Sequence, residues 1–476
     1  MKRFTWANGW YLGVIAASST AACGTADPDA NVQIGSSNDA VLGDRLSGVS
    51  SADFAEAKAA FQNVESINDG VGPIFNERSC GGCHANGAVG GAGENIERRF
   101  GRFVNGIFDP LADLGGTLRQ LFSVGNFNNP NLPASSRGTC QAGNPTLCCI
   151  PVEVDPPQAT VRNVGRLTTP LFGLGLVDAI PDSFFDSLAA AEPSAIRGFV
   201  NRVAIVLPDP RDPAQARGVL GVGRFGWKAG VRGLVQFAAD AYSNEMAITT
   251  QHCVRGTSII DFAVENAPNA PNGSVPAGCD DLAPFQPPEN VNAGIPLTTD
   301  DAVGPCTGGR TEIQDDVAEF TTFMTFLAPP PRDLSDQISI NRGDPLFTST
   351  GCAGCHVRTT FRTPAAPFNG VPGNFAFNPF SDFLKHDMGS LGDMIGDAPP
   401  DDPAQGKGDT VEVTRRMRTA PLWGLRFRNH LLHDGRAGDV PTAVRAHDGQ
   451  AAAARDAFNR LTSAQQHDLT QFVRSL

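Results

Sequence analysis

Apolar residues recur on one face most clearly in two stretches of the chain. From Ala52 onward Phe54, Ala57 and Phe61 follow at i, i+3 and i+7, which predicts an amphipathic helix ahead of the first cysteine cluster. At the other end Leu469, Phe472, Val473 and Leu476 repeat at i, i+3, i+4 and i+7. Thr462 and Gln465 fit a capping box that would start this closing helix. No convincing run of alternating positions marks a strand. The expected fold class is therefore mainly α, with long irregular connections.

Composition sharpens this picture. The 476 residues include 52 Gly and 36 Pro, which implies many loops between modest helices. Residues 264–310 and 363–410 read as long loops, and Ala328-Pro329-Pro330-Pro331 as a boundary between halves. The expected organisation is a leader over 1–23, a polar flexible tether over 24–50, an N-terminal domain over 51–330 and a C-terminal domain over 331–476. A short repeat supports two related units: Pro73-Ile74-Phe75 ends five residues before Cys80, and Pro345-Leu346-Phe347 five before Cys352.

The leader reads as an export signal. Lys2 and Arg3 precede an apolar stretch from Trp10 to Ala17, then small residues up to Ala22. Thr20-Ala21-Ala22-Cys23 loosely resembles a bacterial lipoprotein cleavage site, so either Cys23 is lipidated or ordinary cleavage falls nearby. The expected location is the periplasm, with membrane attachment, at the outer membrane, through Cys23 in the lipoprotein case. The formal charge of −13 argues against nucleic acid as a partner.

Two motifs carry chemistry: Cys80-Gly81-Gly82-Cys83-His84 and Cys352-Ala353-Gly354-Cys355-His356. Thiols three positions apart can add to the two vinyl groups of one haem, and the His that follows is placed to bind iron. Two covalently bound c-type haems are expected, one in each domain, with His84 and His356 as proximal ligands. Cys140, Cys148, Cys149, Cys253, Cys279 and Cys306 remain besides Cys23; an even number in an exported chain suggests three disulfides that staple loop insertions of the N-terminal domain.

Further stretches resemble a known family. They are Val71-Gly72-Pro73-Ile74-Phe75-Asn76, Thr169-Pro170-Leu171-Phe172-Gly173-Leu174-Gly175-Leu176, Gly223-Arg224-Phe225-Gly226-Trp227-Lys228-Ala229-Gly230, His386-Asp387-Met388-Gly389, Arg418-Thr419-Ala420-Pro421-Leu422-Trp423-Gly424 and Leu432-His433-Asp434-Gly435-Arg436-Ala437. With them the chain resembles the bacterial di-haem oxidoreductases described as peroxidases, distant relatives of di-haem cytochrome c peroxidases and of the methylamine dehydrogenase maturation enzyme.

That resemblance implies site residues. In the related peroxidases a His-Asp-Gly motif precedes a distal Met by fourteen residues; here His433-Asp434-Gly435 precedes His447 by the same interval. His447 is the expected distal ligand of the second haem, with Met388, Met394 and His433 as competitors. Imidazole in place of thioether should lower the potential. By resemblance His433 lies near a propionate and His386 lines the haem surroundings. The first haem lacks the relatives' second His, because no His follows His84 until His252. It is expected to be open on its distal side or closed by another residue. Trp227 precedes Glu245-Met246 much as a Trp between the haems precedes a Glu-Met pair in the relatives. Glu245 is thus the candidate distal acid–base, moving a proton between the oxygens of bound peroxide, and Trp227 the electron relay. Arg224 and Lys228 are candidates for propionate binding. The relatives hold calcium between their haems; this sequence shows no clear ligand set for it.

The resemblance implies an oxidoreductase of peroxidase type. Electrons from a redox partner, a small cytochrome or cupredoxin, would enter at the C-terminal haem and pass to the N-terminal one, where peroxide or oxygen is activated; an unidentified organic or protein substrate could be oxidised in turn. Two alternatives stand beside it. One is an electron-transfer cytochrome without turnover. The other is a structural or sensory haem lipoprotein that binds a small gas.

Overall fold

In the computed structural model residues 42–65, 74–123, 154–260, 316–396 and 408–476 are described, apart from 112–113, 115, 210, 213–214, 247, 249–250 and 255–256. The leader, most of the tether, and Cys140, Cys148, Cys149, Cys279 and Cys306 lie outside the described residues, as do the side chains of His252 and Cys253. The expected disulfides fall on those residues; the four cysteines that are described are all free thiols.

The α-helices of the described chain are α1 (Ser51–Gln62), α2 (Cys80–Cys83), α3 (Leu174–Asp178), α4 (Asp182–Ala191), α5 (Leu234–Met246), α6 (Asp316–Phe326), α7 (Gln337–Ser349), α8 (Val411–Thr414), α9 (Val440–Ala446), α10 (Ala452–Asn459) and α11 (Ser463–Arg474). The two helices read from periodicity form as expected. Ser50 caps α1 by accepting the Asp53 N–H, and Phe54, Ala57 and Phe61 are its buried face. The capping box at Thr462 and Gln465 is present, and α11 buries Leu469, Phe472 and Val473. α1 lays its phenylalanines on α6, with Phe54 and Phe61 ring centroids 5.5 and 4.6 Å from that of Phe323. α11 crosses α7 at Gly343, where a Cβ would collide with the Asp468 carbonyl. No helix among the described residues is long and apolar enough to cross a membrane.

The expectation of a mainly α fold is not met. Of the described residues 36% are helix and 16% strand, and the strands form several small sheets. The largest is antiparallel: Ile96–Val104 pairs with Ile107–Asp109, Leu118–Arg119 and Val161–Leu167. Most of the other strands have two to four residues, too few to show alternation in the sequence. Ile96–Val104 itself reads Ile-Glu-Arg-Arg-Phe-Gly-Arg-Phe-Val, and most of its side chains are half-buried. Its arginine stems cover apolar surface while their heads stay polar, which erases the in–out pattern.

The repeat ahead of the two motifs does not fold alike. Phe75 lies in the strand Ile74–Phe75, whereas Phe347 lies in α7. Both rings are nevertheless buried, at 1% exposure. The larger apolar core gathers residues from Leu46 to Trp423, including Phe61, Phe185, Phe323 and Phe383. A second cluster (Phe347, Phe380, Leu422, Phe458, Leu469, Phe472) surrounds the second motif.

Candidate functional site

The first motif is a single helical turn. The His84 N–H bonds the Cys80 carbonyl at 2.9 Å, which closes the turn and presents both thiols and the imidazole from one short segment. The His84 ring puts Nδ1 3.3 Å from the Gly91 carbonyl oxygen. This leaves Nε2 as the nitrogen for an iron, the usual device for fixing a ligand's tautomer. Burial lowers the imidazole to a pKa of about 4, against the pull of the Gly91 and Thr169 carbonyls, so the ring is neutral and fit to ligate. Burial also pushes the Cys83 thiol up to about 12, although Asn95 donates to its Sγ at 3.0 Å. Gly93 has room only for hydrogen, because a Cβ there would strike the Cys83 carbonyl.

Glu245, the penultimate residue of α5, comes to this motif. Its carboxyl accepts from Asn76 Nδ2 at 2.8 Å, and its carbonyl accepts the N–H groups of Asn76 and Glu77. Burial raises its pKa to about 8; the neighbouring Glu97 adds to the rise, and Asn76 and Arg99 oppose it. Glu97 lies on the strand Ile96–Val104. Burial pushes it up too, but Arg99 grips it at 2.7 and 3.1 Å and holds it below its ordinary range. Sequence reasoning missed Glu97, although its two-residue spacing from Arg99 puts both on one face of a strand.

The second motif follows α7 as a 3-10 turn over Cys352–Gly354, closed by His356 N–H to Cys352 O at 3.1 Å. His356 Nδ1 lies 3.0 Å from the Phe380 carbonyl. His447, at the C-terminus of α9, sets its Nδ1 2.8 Å from the Ala443 carbonyl. Both rings thus keep Nε2 for a metal. His356 is lowered to about 4 by burial and, next, by the charge of His447, which places the two imidazoles in one neighbourhood. Of the competitors, Met394 Sδ receives a weak contact from the Thr414 hydroxyl at 3.9 Å, and His433 packs against Trp227.

His386 is buried 2.9 Å from Asp382 Oδ2, with its Nδ1 3.6 Å from Cys355 Sγ. Burial pushes it down, yet Asp382 and Cys355 hold it up at about 11. These three residues are a group whose ligand atoms lie within 4.8 Å of one another. Glu192 flanks them and is raised to about 7 by burial and by Asp382.

Trp227 bridges different parts of the chain. Its Nε1–H donates to the Leu167 carbonyl at 2.8 Å, the Leu167 N–H donates to His433 O, and the Trp227 and His433 rings meet edge-on at 6.2 Å. Lys228 and Arg224 are already engaged. Lys228 pairs with Asp393 at 2.8 Å and donates to the Thr414 and Arg416 carbonyls. Arg224 pairs with Asp182 and stacks 4.5 Å over Phe185. Arg224 also lines a narrow cleft with Thr169, Pro170, Trp227, Arg418 and Arg428. Burial lowers Arg224 to about 9 and Arg418 and Arg428 to about 10. Arg428 donates to Pro421 O at 2.8 Å, while its buried Nε finds no hydrogen-bond partner among the described residues. Arg428 was not foreseen; it follows the Arg418–Gly424 stretch by one helical turn.

The residues present fit two attached haems: free thiols in pairs, imidazoles with Nδ1 tied to carbonyls, and a cationic cleft with an orphaned guanidinium nitrogen suited to a carboxylate.

Residues 288–476 match the model of a family described as "Di-haem oxidoreductase, putative peroxidase". The resemblance read from the motifs is thereby borne out over this part of the chain, which holds the second motif, His386, His433 and His447. The match supports haem as cofactor and a redox function. No curated protein matches the chain significantly. Among solved structures, a hydrazine synthase of Kuenenia stuttgartiensis is similar at 16% identity with a TM-score of 0.24, over 35% of this chain and 58% of that one. The chain thus spans less than two thirds of that structure's length.

Proposed function

We propose, from the family match over residues 288–476, that the protein is an exported di-haem c-type oxidoreductase of peroxidase type. The observation that carries this reading is the asymmetry of the two motifs. The second brings an additional imidazole, His447, into the neighbourhood of His356. The first brings no described His but a half-buried acid, Glu245, raised to about 8. Haem iron, when bound, supplies the redox change at each site. The chain's own residues divide the remaining work. His356 and His447 hold neutral Nε2 atoms for ligation, which suits electron carriage. Cys80, Cys83 and His84 hold the other group. Glu245 stays protonated near neutral pH and is placed to give a proton to an oxygen atom and take it back. Trp227, packed on His433, is the candidate path between the halves, and Arg418 and Arg428 offer charge to propionates. Export through the leader, attachment through Cys23, a small cytochrome or cupredoxin as electron donor, and peroxide or oxygen as acceptor belong to this reading.

Electron paramagnetic resonance on the oxidised holoprotein tests it. A high-spin ferric signal that peroxide removes, beside an unchanged low-spin signal, is the expected result, with the high-spin signal retained in Glu245→Gln. Two low-spin signals untouched by peroxide, in oxidised and half-reduced protein alike, would instead mark an electron-transfer cytochrome.

A further inference from the structure

We propose that Glu97 and Glu245 act as one acid–base unit that holds a single proton beside the first cysteine motif, with Glu97 as the positioning residue through which Glu245 keeps and recovers that proton.

Each carboxyl group has the other as a hydrogen-bonding and charged neighbour, with Asn76 holding Glu245 at 2.8 Å and Arg99 holding Glu97 at 2.7 Å. Two carboxylates cannot share such a contact unless one carries a proton. The surroundings decide which one does. Arg99 takes both oxygens of Glu97 and is itself fixed by Thr117 Oγ1 at 2.9 Å, so the negative charge belongs on Glu97. Glu245 meets a single amide donor, Asn76. The other charged groups that act on the pair are Arg166, which favours ionised Glu97, and Asp240, which acts on Arg99. Glu77, Glu97 and Glu245 all act on the Cys83 thiol, which places the pair beside the second attachment cysteine.

The proton balance is simple. When Glu245 releases its proton to an oxygen acceptor, two ionised carboxylates face each other inside the fold. Their repulsion, added to the desolvation penalty, draws one proton from solvent water back to Glu245, and the cycle ends with the pair as it began and one proton passed from solvent to the acceptor. Without Glu97 the acid would lose this return force, and Arg99 would be left to stabilise ionised Glu245. This inference rests on the proposed peroxidase-type function only for what the proton serves; the paired state stands or falls separately.

The test is infrared spectroscopy of the full holoprotein across a pH series, following the protonated carboxylic acid band that Glu245→Gln removes, which separates it from that of Glu192, and its shift in deuterated water. In the unaltered protein the band should be present at neutral pH and fade with a midpoint near 8. Glu97→Gln should move that midpoint down by about 1–3 units, the usual effect of an opposite charge freed from its rival. Asn76→Ala, which removes the donor that favours ionised Glu245, should move it up. An unchanged midpoint in Glu97→Gln, or no protonated carboxylic acid at neutral pH in the unaltered protein, would overturn the proposal. If the band behaves as stated while peroxide leaves the resonance signals unchanged, the pair stands and the peroxidase-type reading fails.

Discussion

His447 lies close enough to His356 that a proton on one is repelled by the other, and both rings spend Nδ1 on main-chain carbonyls 2.8 and 3.0 Å away. Each imidazole is therefore held in one orientation with Nε2 free. His447→Met should raise the midpoint potential of the second haem, a shift well inside the ~0.8 V span that axial ligands command. A spectroscopic redox titration reads it, and an unchanged potential would remove His447 from the ligand set.

Trp227→Phe keeps an aromatic ring beside His433 but leaves the Leu167 carbonyl without its indole donor. Stability should fall by about 1–3 kcal/mol, the cost of an orphaned acceptor. Electron transfer between the haems should slow as well. Stopped-flow reduction separates the two effects: a loss of stability with an unchanged inter-haem rate would make Trp227 a packing residue only.

Glu192 gives a pH dependence whose sign can be worked out. Burial and Asp382 raise its folded pKa to about 7, above the 4.5 of the free group. The folded state binds the proton more tightly, so the group contributes stability in full below about pH 4.5 and loses it as pH rises through about 7. Glu192→Gln should therefore flatten the decline in stability between pH 5 and pH 8 by roughly 1 kcal/mol, after discounting for screening by solvent. Denaturant unfolding at the two pH values checks this; parallel curves for both proteins would contradict it.

Gly343→Ala places a methyl group against the Asp468 carbonyl where α7 meets α11. The helices must move apart, at a cost of about 1–3 kcal/mol. Because the second motif follows α7 directly, the low-spin signal of the second haem should broaden as the thermal midpoint falls. Preserved stability would show that the crossing can relax.

Both cysteine motifs, the buried face of α1 and the capping box of α11 were legible in the sequence, because each is a local pattern with a local cause. The sheet around Ile96–Val104 was not. Its arginines are amphipathic, its partners are as short as two residues, and its last partner, Val161–Leu167, arrives from far along the chain. Glu97 was hidden with that sheet, and Arg428 was hidden because an orphaned nitrogen is a property of packing. Lys228 and Arg224 were read as groups free for propionates, yet most of their donors are committed to Asp393, Asp182 and main-chain oxygens. Residue type announced a cation; only the fold discloses what already neutralises it.

The antiparallel register sets Glu97 opposite Arg166. Arg166 reaches across to Asp393 at 2.8 Å, and Asp393 in turn binds Lys228 and acts on His433. A proton gained or lost at the carboxyl pair therefore changes the field around Arg166, and through it the groups beside Trp227 and His433. Such coupling runs equally in both directions. The carboxyl pair and His433 then have linked titrations: proton uptake at the pair should register as a change in the acidity of His433, and protonation of His433 as a change in the acidity of the pair.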